Sequence, residues 1–493
     1  MMTALTSRPK YDVVVVGAGP NGLAAAVALA RENLSTLLVE AQDTPGGGAR
    51  TQELTLPGYQ HDVCSTVHPL GAGSPFFNAL GLERHGLVWD HSPAALAHVL
   101  DEHTVVTLER SIEATAEQLG RDGPAYRRLI EPYSERFADL GRMILGPLRF
   151  PAEPLFLAKF GLQALRSLRG LCAARFREPA AGALLAGIAA HAMLPLSAAA
   201  TASFGLVLAS AGHAVGWPLA RGGSRAITDA LVGCLREFGG ELALGCPVTS
   251  LAQLPSARAY VFDVTPRQLL AICGDSLPSD YRQRLERFRY GAGVYKMDWA
   301  LSQPIPWRNP ACARASTVHL AGTLDEVDAA EAAVHVGGVA ERPFVLLVQP
   351  SLFDATRAPF GKHIAWAYCH VPHADPVDAS RAIEAQIERF APGFKDCVLA
   401  RATRNAHEVE RHNSNYIGGD INGGISDLGQ LFFRPVARLD PYATPTSNLF
   451  ICSSSTPPGG GVHGMCGYWA ARSVLSRIFG RRAQRDPGRL LPA

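Results

Sequence analysis

Three features within the first fifty residues carry types and spacings fit for chemistry. They are the turn Gly17, Ala18, Gly19, Pro20, Asn21, Gly22, the acid Glu40, and the triplet Gly46, Gly47, Gly48 followed by Arg50. In such a turn Gly17 permits the tight bend, Gly19 lets the backbone approach a pyrophosphate and Gly22 lets the helix pack close to the strand, and an acid roughly 20 residues on takes ribose hydroxyls. An acid there suits an unphosphorylated ribose, so FAD or NAD is expected and NADP is not. This chemistry requires a strand, a tight turn and a helix in that order. Tyr11 to Val16 is an apolar, β-branched run suited to a central parallel strand, and Leu23 to Arg31 is a small-residue helix whose free N–H groups would face the phosphates. Ser35 to Val39 supplies a second strand ending at Glu40. A lone glycine turn is a weak sign; the turn set between strand and helix is a strong one.

The rest of the composition narrows the classes. At 493 residues and 47% hydrophobic, the chain is long enough for two or three lobes around a large core. A net charge of +2 gives no drive toward nucleic acid, and the surplus gathers at Arg481, Arg482, Arg485 and Arg489, with 483–493 read as a solvated tail. Ten cysteines show no CxxC and no zinc spacing, so they read as buried thiols in a reducing compartment. His61, Cys64 and His68 could be taken for metal ligands, but no metal is expected there because the loop has a place in the nucleotide fold. The opening MMTALTSRPK has no apolar run, and a cytoplasmic location is expected. Leu184 to Ala220 is almost uncharged, yet Pro195 breaks it and it carries His191 and His213; two packed helices explain it better than a membrane span.

The glycine triplet and Arg50 after the second strand resemble the large flavoprotein group that contains phytoene desaturases and amine oxidases. There, a glycine doublet and a basic residue at this place lie along the FAD pyrophosphate, so the resemblance implies FAD, held in part by Gly47, Gly48 and Arg50. It also implies an FAD domain assembled from 1–75, 216–275 and 443–482. Leu219 to Leu231 is similar to the group's Gly-Gly segment opening a helix, which stops at Gly239 and Gly240. Glu241 to Leu251 is similar to the strand pair where Val248 would offer its backbone to the adenine. Ala259 to Val264 matches the closing strand, although Asp263, Val264, Thr265 and Pro266 depart from the group's usual Ala-Thr-Pro. Near the end, Asn448 to Ser453 reads as a strand, Thr456 to Gly461 as a turn, and Val462 to Leu475 as a helix. Its N-terminal residues Gly461, Val462 and His463 would offer N–H groups to flavin N1 and O2. Together with His61 to Pro69 and Asn415 to Gly424, this is most similar to the branch typified by the pyridine nucleotide-disulphide oxidoreductase domain-containing protein 2 family. A disulphide reductase would need a close cysteine pair and a second nicotinamide site, and the sequence holds neither. Dioxygen, a quinone or another electron acceptor is expected instead.

The intervening 76–215 and 276–442 would form the substrate domain, giving a doubly wound, three-layer α/β FAD domain beside a helix-rich α+β domain. The first stretch reads as helices, one from Pro124 to Leu145 and three apolar ones after it. The second carries strands at Val294 to Leu301, Phe344 to Val348 and His363 to Tyr368, and an amphipathic helix near Val377 to Phe390. A helical wall beside a sheet points to a large apolar cavity. Lys296 lies on a strand similar to the one where amine oxidases keep a lysine that holds a water against flavin N5; the blander reading is a solvated lysine sharing its face with Asp298. His68 and His463 are the other catalytic candidates, against the readings of a satisfied loop histidine and a helix N-terminal hydrogen bonder. Trp366, Tyr368 and Tyr416 are candidates for the aromatic pair an amine oxidase wants. The expected function is dehydrogenation or desaturation of an apolar small molecule by hydride transfer to flavin N5. An amine oxidase, a redox-neutral isomerase or cyclase, and a binding protein like the Rab GDP-dissociation inhibitors are the alternatives. Leu155 to Phe176, mixing apolar residues with Lys159, Arg166, Arg169 and Arg175, is a candidate surface for peripheral membrane contact.

Overall fold

Val13 to Val16 are β-branched and buried on both faces, which is what the middle of an all-parallel sheet demands. In the computed structural model, which describes residues 10–481, Lys10–Val16 is the central strand of a five-stranded sheet. The strand order is Leu449–Ile451, Ser256–Phe262, Lys10–Val16, Thr36–Val39 and Glu241–Ala243, every pair parallel. On one face, Val13, Val15 and Leu38 pack against the helices Pro20–Ala30, Arg225–Glu237 and Met465–Phe479. On the other, Val14, Val16 and Leu37 meet Pro266–Cys273 and Ser279–Glu286. The result is a three-layer Rossmann-type unit whose strands come from three distant parts of the chain. The segment before Lys10 and the basic residues Arg482, Arg485 and Arg489, with the tail 483–493, lie outside the described residues.

Close helix packing holds the three parts together. Gly467 lies so near the Pro20–Ala30 helix that a Cβ there would fall 1.8 Å from the Asn21 carbonyl oxygen. Two local expectations are corrected. Glu241 to Leu251 forms one strand, Glu241–Ala243, and then an irregular run, because Gly245 takes φ +65° and turns the chain back beside Glu40. The last helix starts at Met465, three residues later than expected, because Gly459, Gly461 and Gly464 (φ +107°, +119° and +68°) keep the chain out of helical conformation until then.

The second sheet has seven strands in the order Val398–Arg404, Gly293–Leu301, His363–Val371, Val345–Val348, Ala315–Leu320, Ala94–Val99 and Val105–Glu109. Ala94–Val99 and Val105–Glu109 correct the expectation that the first intervening stretch is helical throughout. Ala94–Val99 (AALAHV) is buried at every position, so it shows no polar alternation, and its alanines carry a helical propensity that packing overrides. The helix Ser380–Phe390 packs Ile383, Ile387 and Phe390 on one face of this sheet, and a larger helical layer covers the other. Pro124 to Leu145 is two helices, Gly123–Ser134 and Phe137–Ile144, and four helices rather than three follow, namely Pro154–Ala164, Leu168–Arg175, Pro179–Ala189 and Thr201–Ala214. The uncharged Leu184 to Ala220 stretch is divided as expected, since Met193 and Ala200 take left-handed backbone between two helices packed on each other. Among the described residues, no helix is long and apolar enough to cross a membrane.

Candidate functional site

The glycine turn is built for contact between backbones. A Cβ at Gly22 would meet the Gly17 carbonyl oxygen at 1.9 Å, so the turn closes only around glycine. A Cβ at Gly47 would lie 2.9 Å from the Gly19 Cα, which shows that the two glycine loops touch chain to chain. Glu40 and Arg50 fasten them: the Glu40 carboxylate accepts from the Ala18 N–H at 2.7 Å, the Gln42 N–H at 3.0 Å and Arg50 Nη2 at 3.2 Å. Arg50 Nη1 donates to the Gly47 carbonyl at 3.2 Å. Gly17, Gly19, Glu40, Gln42, Gly47 and Arg50, with Pro20, Asn21, Gly48 and Val248, line a cleft of about 200 Å³, while Gly22 lies behind it. Two polar atoms beside it, Asn21 Oδ1 and Arg50 Nε, are buried without a protein partner. A narrow cleft walled by backbone, with an acid near its adenosine end and unspent polar atoms near its middle, fits a dinucleotide.

One residue of this cleft escaped notice as a site residue in the sequence. Asp263, at the end of the Ser256–Phe262 strand, accepts the Gly22 N–H at 2.8 Å and so sits at the N-terminus of the first helix, where a phosphate would be. Burial pushes its carboxyl up to about 7, with the nearby Glu40 adding to the rise and the Gly22 N–H opposing it. The available signal was the departure from Ala-Thr-Pro.

The cleft opens into a chamber of about 560 Å³, the two sharing Pro20, Asn21, Gly48, Tyr416, Ile421 and Ser454. The chamber's far wall is Met143 to Arg149 with Leu157, Phe160, Gly161, Ala164 and Leu165 and with Ser203, Phe204, Val207 and Leu208; its floor is Leu346, Trp366 and Tyr368 from the second sheet; its near wall is Thr66 to Gly71 and Gly460 to His463. Among the described residues, no aspartate, glutamate or lysine lines it, and Arg149 is its one arginine. Such a room is of ligand size and mostly apolar.

The sequence candidates separate in this setting. His68 lines the chamber, and its Nε2 meets Ser224 Oγ at 3.0 Å. The Ser224 hydroxyl already donates to the Ser65 carbonyl, so His68 Nε2 carries the hydrogen and Nδ1 is left as an acceptor without a partner among the described residues. Burial pulls His68 down to about 4, which keeps it neutral. His463 also borders the chamber, but its Nδ1 accepts the Met465 N–H at 3.0 Å, so it caps the last helix; burial lowers it to about 4 as well. Gly461 and Val462 line the same wall.

Lys296 is not on the chamber wall. It is 4% exposed and gives Nζ to both Asp298 carboxylate oxygens at 2.6 Å, which corrects the reading of a solvated lysine: the shared face is buried and the two residues pair on it. Behind the wall the pair joins a buried polar seam, in which His61 Nδ1 lies 3.6 Å from Asp298 and Arg357 pairs with Asp62 at 2.8 Å. Asp62 also accepts from Thr51 and the Ser224 N–H. Burial, then Lys296 and Arg357, lower His61 to about 3. With His61 and His68 so engaged, the described residues hold no group of three metal-ligating side chains, and all ten cysteines are free thiols. Trp366 and Tyr368 are stacked on each other, 5.7 Å and 17° apart, rather than facing across a gap. Tyr416 stands where cleft and chamber meet.

Comparison with known proteins agrees with this geometry. Residues 15–80 match the family described as NAD(P)-binding Rossmann-like domain. The chain is similar to the mouse (Mus musculus) pyridine nucleotide-disulfide oxidoreductase domain-containing protein 2, at 27% identity over 95% of this chain and 94% of that one. It is similar to the zeta-carotene-forming phytoene desaturase of Myxococcus xanthus at 25% identity, over 95% and 93% of the two chains. Among solved structures, a putrescine oxidase triple mutant superposes with a TM-score of 0.63 at 18% identity, over 96% of this chain and 99% of that one.

Proposed function

We propose that this chain, an oxidoreductase on a dinucleotide-binding Rossmann domain, holds FAD along the cleft and dehydrogenates or desaturates an apolar small molecule in the chamber. The observation that carries the reading is the continuity of a backbone-walled cleft with a 560 Å³ chamber that no carboxylate of the described residues lines. Gly17, Gly19, Pro20 and Asn21 would face the pyrophosphate, with Gly22 closing the turn behind them and Gly47, Gly48 and Arg50 opposite. Glu40 would take the ribose, Val248 the adenine, and Gly461, Val462 and His463 the flavin ring. When bound, FAD supplies the hydride acceptor.

The chain's own contribution is position, dryness and hydrogen bonding. The apolar walls exclude water and orient a substrate by shape. His68, neutral and on the chamber wall with Nδ1 unpartnered among the described residues, is the group placed to accept a hydrogen bond from the substrate there, burial making it a weak base. His463 holds the last helix's N-terminus in place. Lys296 acts through Asp298 as a positioning residue behind the wall. The substrate class is isoprenoid, carotenoid-like or another apolar secondary metabolite, and dioxygen, a quinone or another carrier takes the electrons. An amine oxidase is less well supported: a cationic substrate would find no carboxylate among the described residues of the chamber wall, and Trp366 and Tyr368 do not face each other. A non-catalytic binding protein is disfavoured by the intact glycine contacts and Glu40.

The chamber's mouth bears on where the enzyme works. Leu148, which lines it, is 61% exposed, and Phe150, Leu155 and Leu162 nearby are 89%, 87% and 74% exposed, with Lys159 among them. This collar suits a cytoplasmic enzyme resting on an anionic bilayer that dissolves its substrate. The absorption spectrum of the purified protein, followed by anaerobic mixing with apolar candidates, tests the central reading. A bound-flavin spectrum that one candidate bleaches supports it. Turnover without bleaching would support the isomerase or cyclase, and a colourless protein that cannot be reconstituted with FAD would overturn the proposal.

A further inference from the structure

Among the polar groups that interrupt the chamber's apolar lining is a histidine that the reading above does not use. His191, in the turn after the Pro179–Ala189 helix, lines the chamber against Trp217, with ring centroids 5.4 Å apart. Its Nε2 meets His319 Nε2 at 3.4 Å, and its Nδ1 has no partner among the described residues. His319 is fully buried on the Ala315–Leu320 strand, and cross-strand register sets it opposite Leu346 of the chamber floor on one side and His98 on the other.

The placement of hydrogens along this row is set from its far end. His98 Nε2 lies 2.8 Å from the Gly322 carbonyl oxygen, which only accepts, so His98 carries its hydrogen on Nε2 and presents a bare lone pair at Nδ1. His98 Nδ1 and His319 Nδ1 are both buried without a hydrogen-bond partner and turn toward the same spot at Gly187, where an added Cβ would lie 2.4 and 2.6 Å from them. The two nitrogens are not hydrogen-bonded, but two lone pairs aimed at one dry spot repel, so the hydrogen of His319 is favoured on Nδ1, which leaves His319 Nε2 bare. His191 must then donate from Nε2, and Nδ1 becomes its bare, accepting nitrogen. Burial keeps all three rings neutral, so the order is not scrambled by protonation.

We infer that His191 Nδ1 is the chamber's recognition point for a hydroxyl donor, so that the substrate class is an apolar molecule bearing an alcohol group. This rests on the reading of the chamber as an apolar substrate site. The bare nitrogen accepts from an O–H, gains nothing from an ether or a hydrocarbon, and requires no charge on the ligand. A site that is built to bond a hydroxyl rejects the analogue lacking it more strongly than an apolar pocket distinguishes shapes.

The test is equilibrium binding to the full-length protein, read by quenching of tryptophan fluorescence, since Trp217 and Trp366 both stand on the chamber wall. The probes are farnesol, its methyl ether and the hydrocarbon farnesene, which share a skeleton and differ in donating capacity. Farnesol is expected to bind roughly tenfold more tightly than the other two, the yield of one well-made neutral hydrogen bond. In His191→Phe the three should bind alike, with farnesene within about twofold of its unmutated value. Equal binding of farnesol and farnesene to the unmutated protein would overturn the inference and leave the apolar chamber standing. Tighter binding of the ether than of the alcohol would overturn the assigned direction. Failure of all three to bind would overturn the chamber reading itself. The comparison of probes needs no variant, so misfolding of His191→Phe would not protect the proposal.

Discussion

The cleft and the chamber meet at six residues and are built on opposite plans. The cleft is bounded by backbone brought to contact distance, with Gly19 against Gly47 and Glu40 clasping both loops. The chamber is bounded by side chains collected from Pro20 to His463, its helical wall and its sheet floor belonging to different layers. A pyrophosphate presents the same charge in every protein that binds it, and one short run of glycines answers it. An apolar molecule is recognised by shape, and shape is set by many side chains with no common pattern. The cleft therefore tolerates almost no change at a few positions, while the chamber should tolerate moderate change at most of them. Each of the following experiments presses on that contrast.

The largest effect is expected at Gly22. In Gly22→Ala the new methyl must displace the Gly17 carbonyl from 1.9 Å, which opens the turn on which the cofactor rests. Flavin affinity should fall by more than about a thousandfold, or roughly 4 kcal/mol, measured as FAD retained after gel filtration and by titration of the apoprotein. A comparable loss from Ser203→Ala on the chamber wall would break the contrast.

Next comes the seam joining the two halves. Arg357→Met would leave the Asp62 carboxylate buried and unpaired and should cost about 3–5 kcal/mol in urea denaturation. Adding Asp62→Asn should return most of that loss, because the neutral amide no longer requires a counter-charge. If the single variant unfolds like the unmutated protein, the seam does not couple the halves.

How far these plans were legible in the sequence follows from the same contrast. The cofactor turn was readable because strand, glycines, helix and acid are contiguous, and each glycine has a local steric reason. The Ala94–Val99 strand was not, since a strand buried on both faces loses its alternation and its alanines favour helix. Lys296 was recognised as unusual and as sharing a face with Asp298 at i+2, yet only the fold shows that the two pair and that both are sealed from solvent. His191 and His319 are 128 residues apart and meet only through sheet register and a helix turn, so no spacing could announce them. Asp263 was visible as a departure from a motif, but its meaning depends on the Gly22 N–H, 241 residues earlier.

Asp263 gives the one pH dependence expected of the cleft. Its carboxyl titrates near 7 in the folded protein against 3.8 ordinarily, so the folded state holds the proton longer than the unfolded chain. The sign follows: this group's contribution to stability is greatest below 3.8, declines as pH rises through about 7, and stays lost above it. Cofactor binding should follow the same direction, because an ionised Asp263 repels a pyrophosphate at the same helix end. FAD affinity is expected to weaken roughly tenfold between pH 6 and 8.5, and Asp263→Asn should flatten that slope. A slope that persists in Asp263→Asn would assign the titration elsewhere.

The smallest effect is expected outside both cavities, at the collar. Lys159 stands on the exposed face of the Pro154–Ala164 helix between Leu155 and Leu162 and does not line the chamber. A basic residue near an anionic surface contributes about 1 kcal/mol, so Lys159→Gln should weaken sedimentation with phosphatidylserine vesicles about fivefold. Uncharged phosphatidylcholine vesicles should show no such difference, and high salt should erase it. Farnesene binding in solution should be the same for both proteins, because the chamber is untouched. If vesicle binding is absent in the unmutated protein, the collar is not a membrane surface, and the chamber must then receive its substrate from water or from another protein.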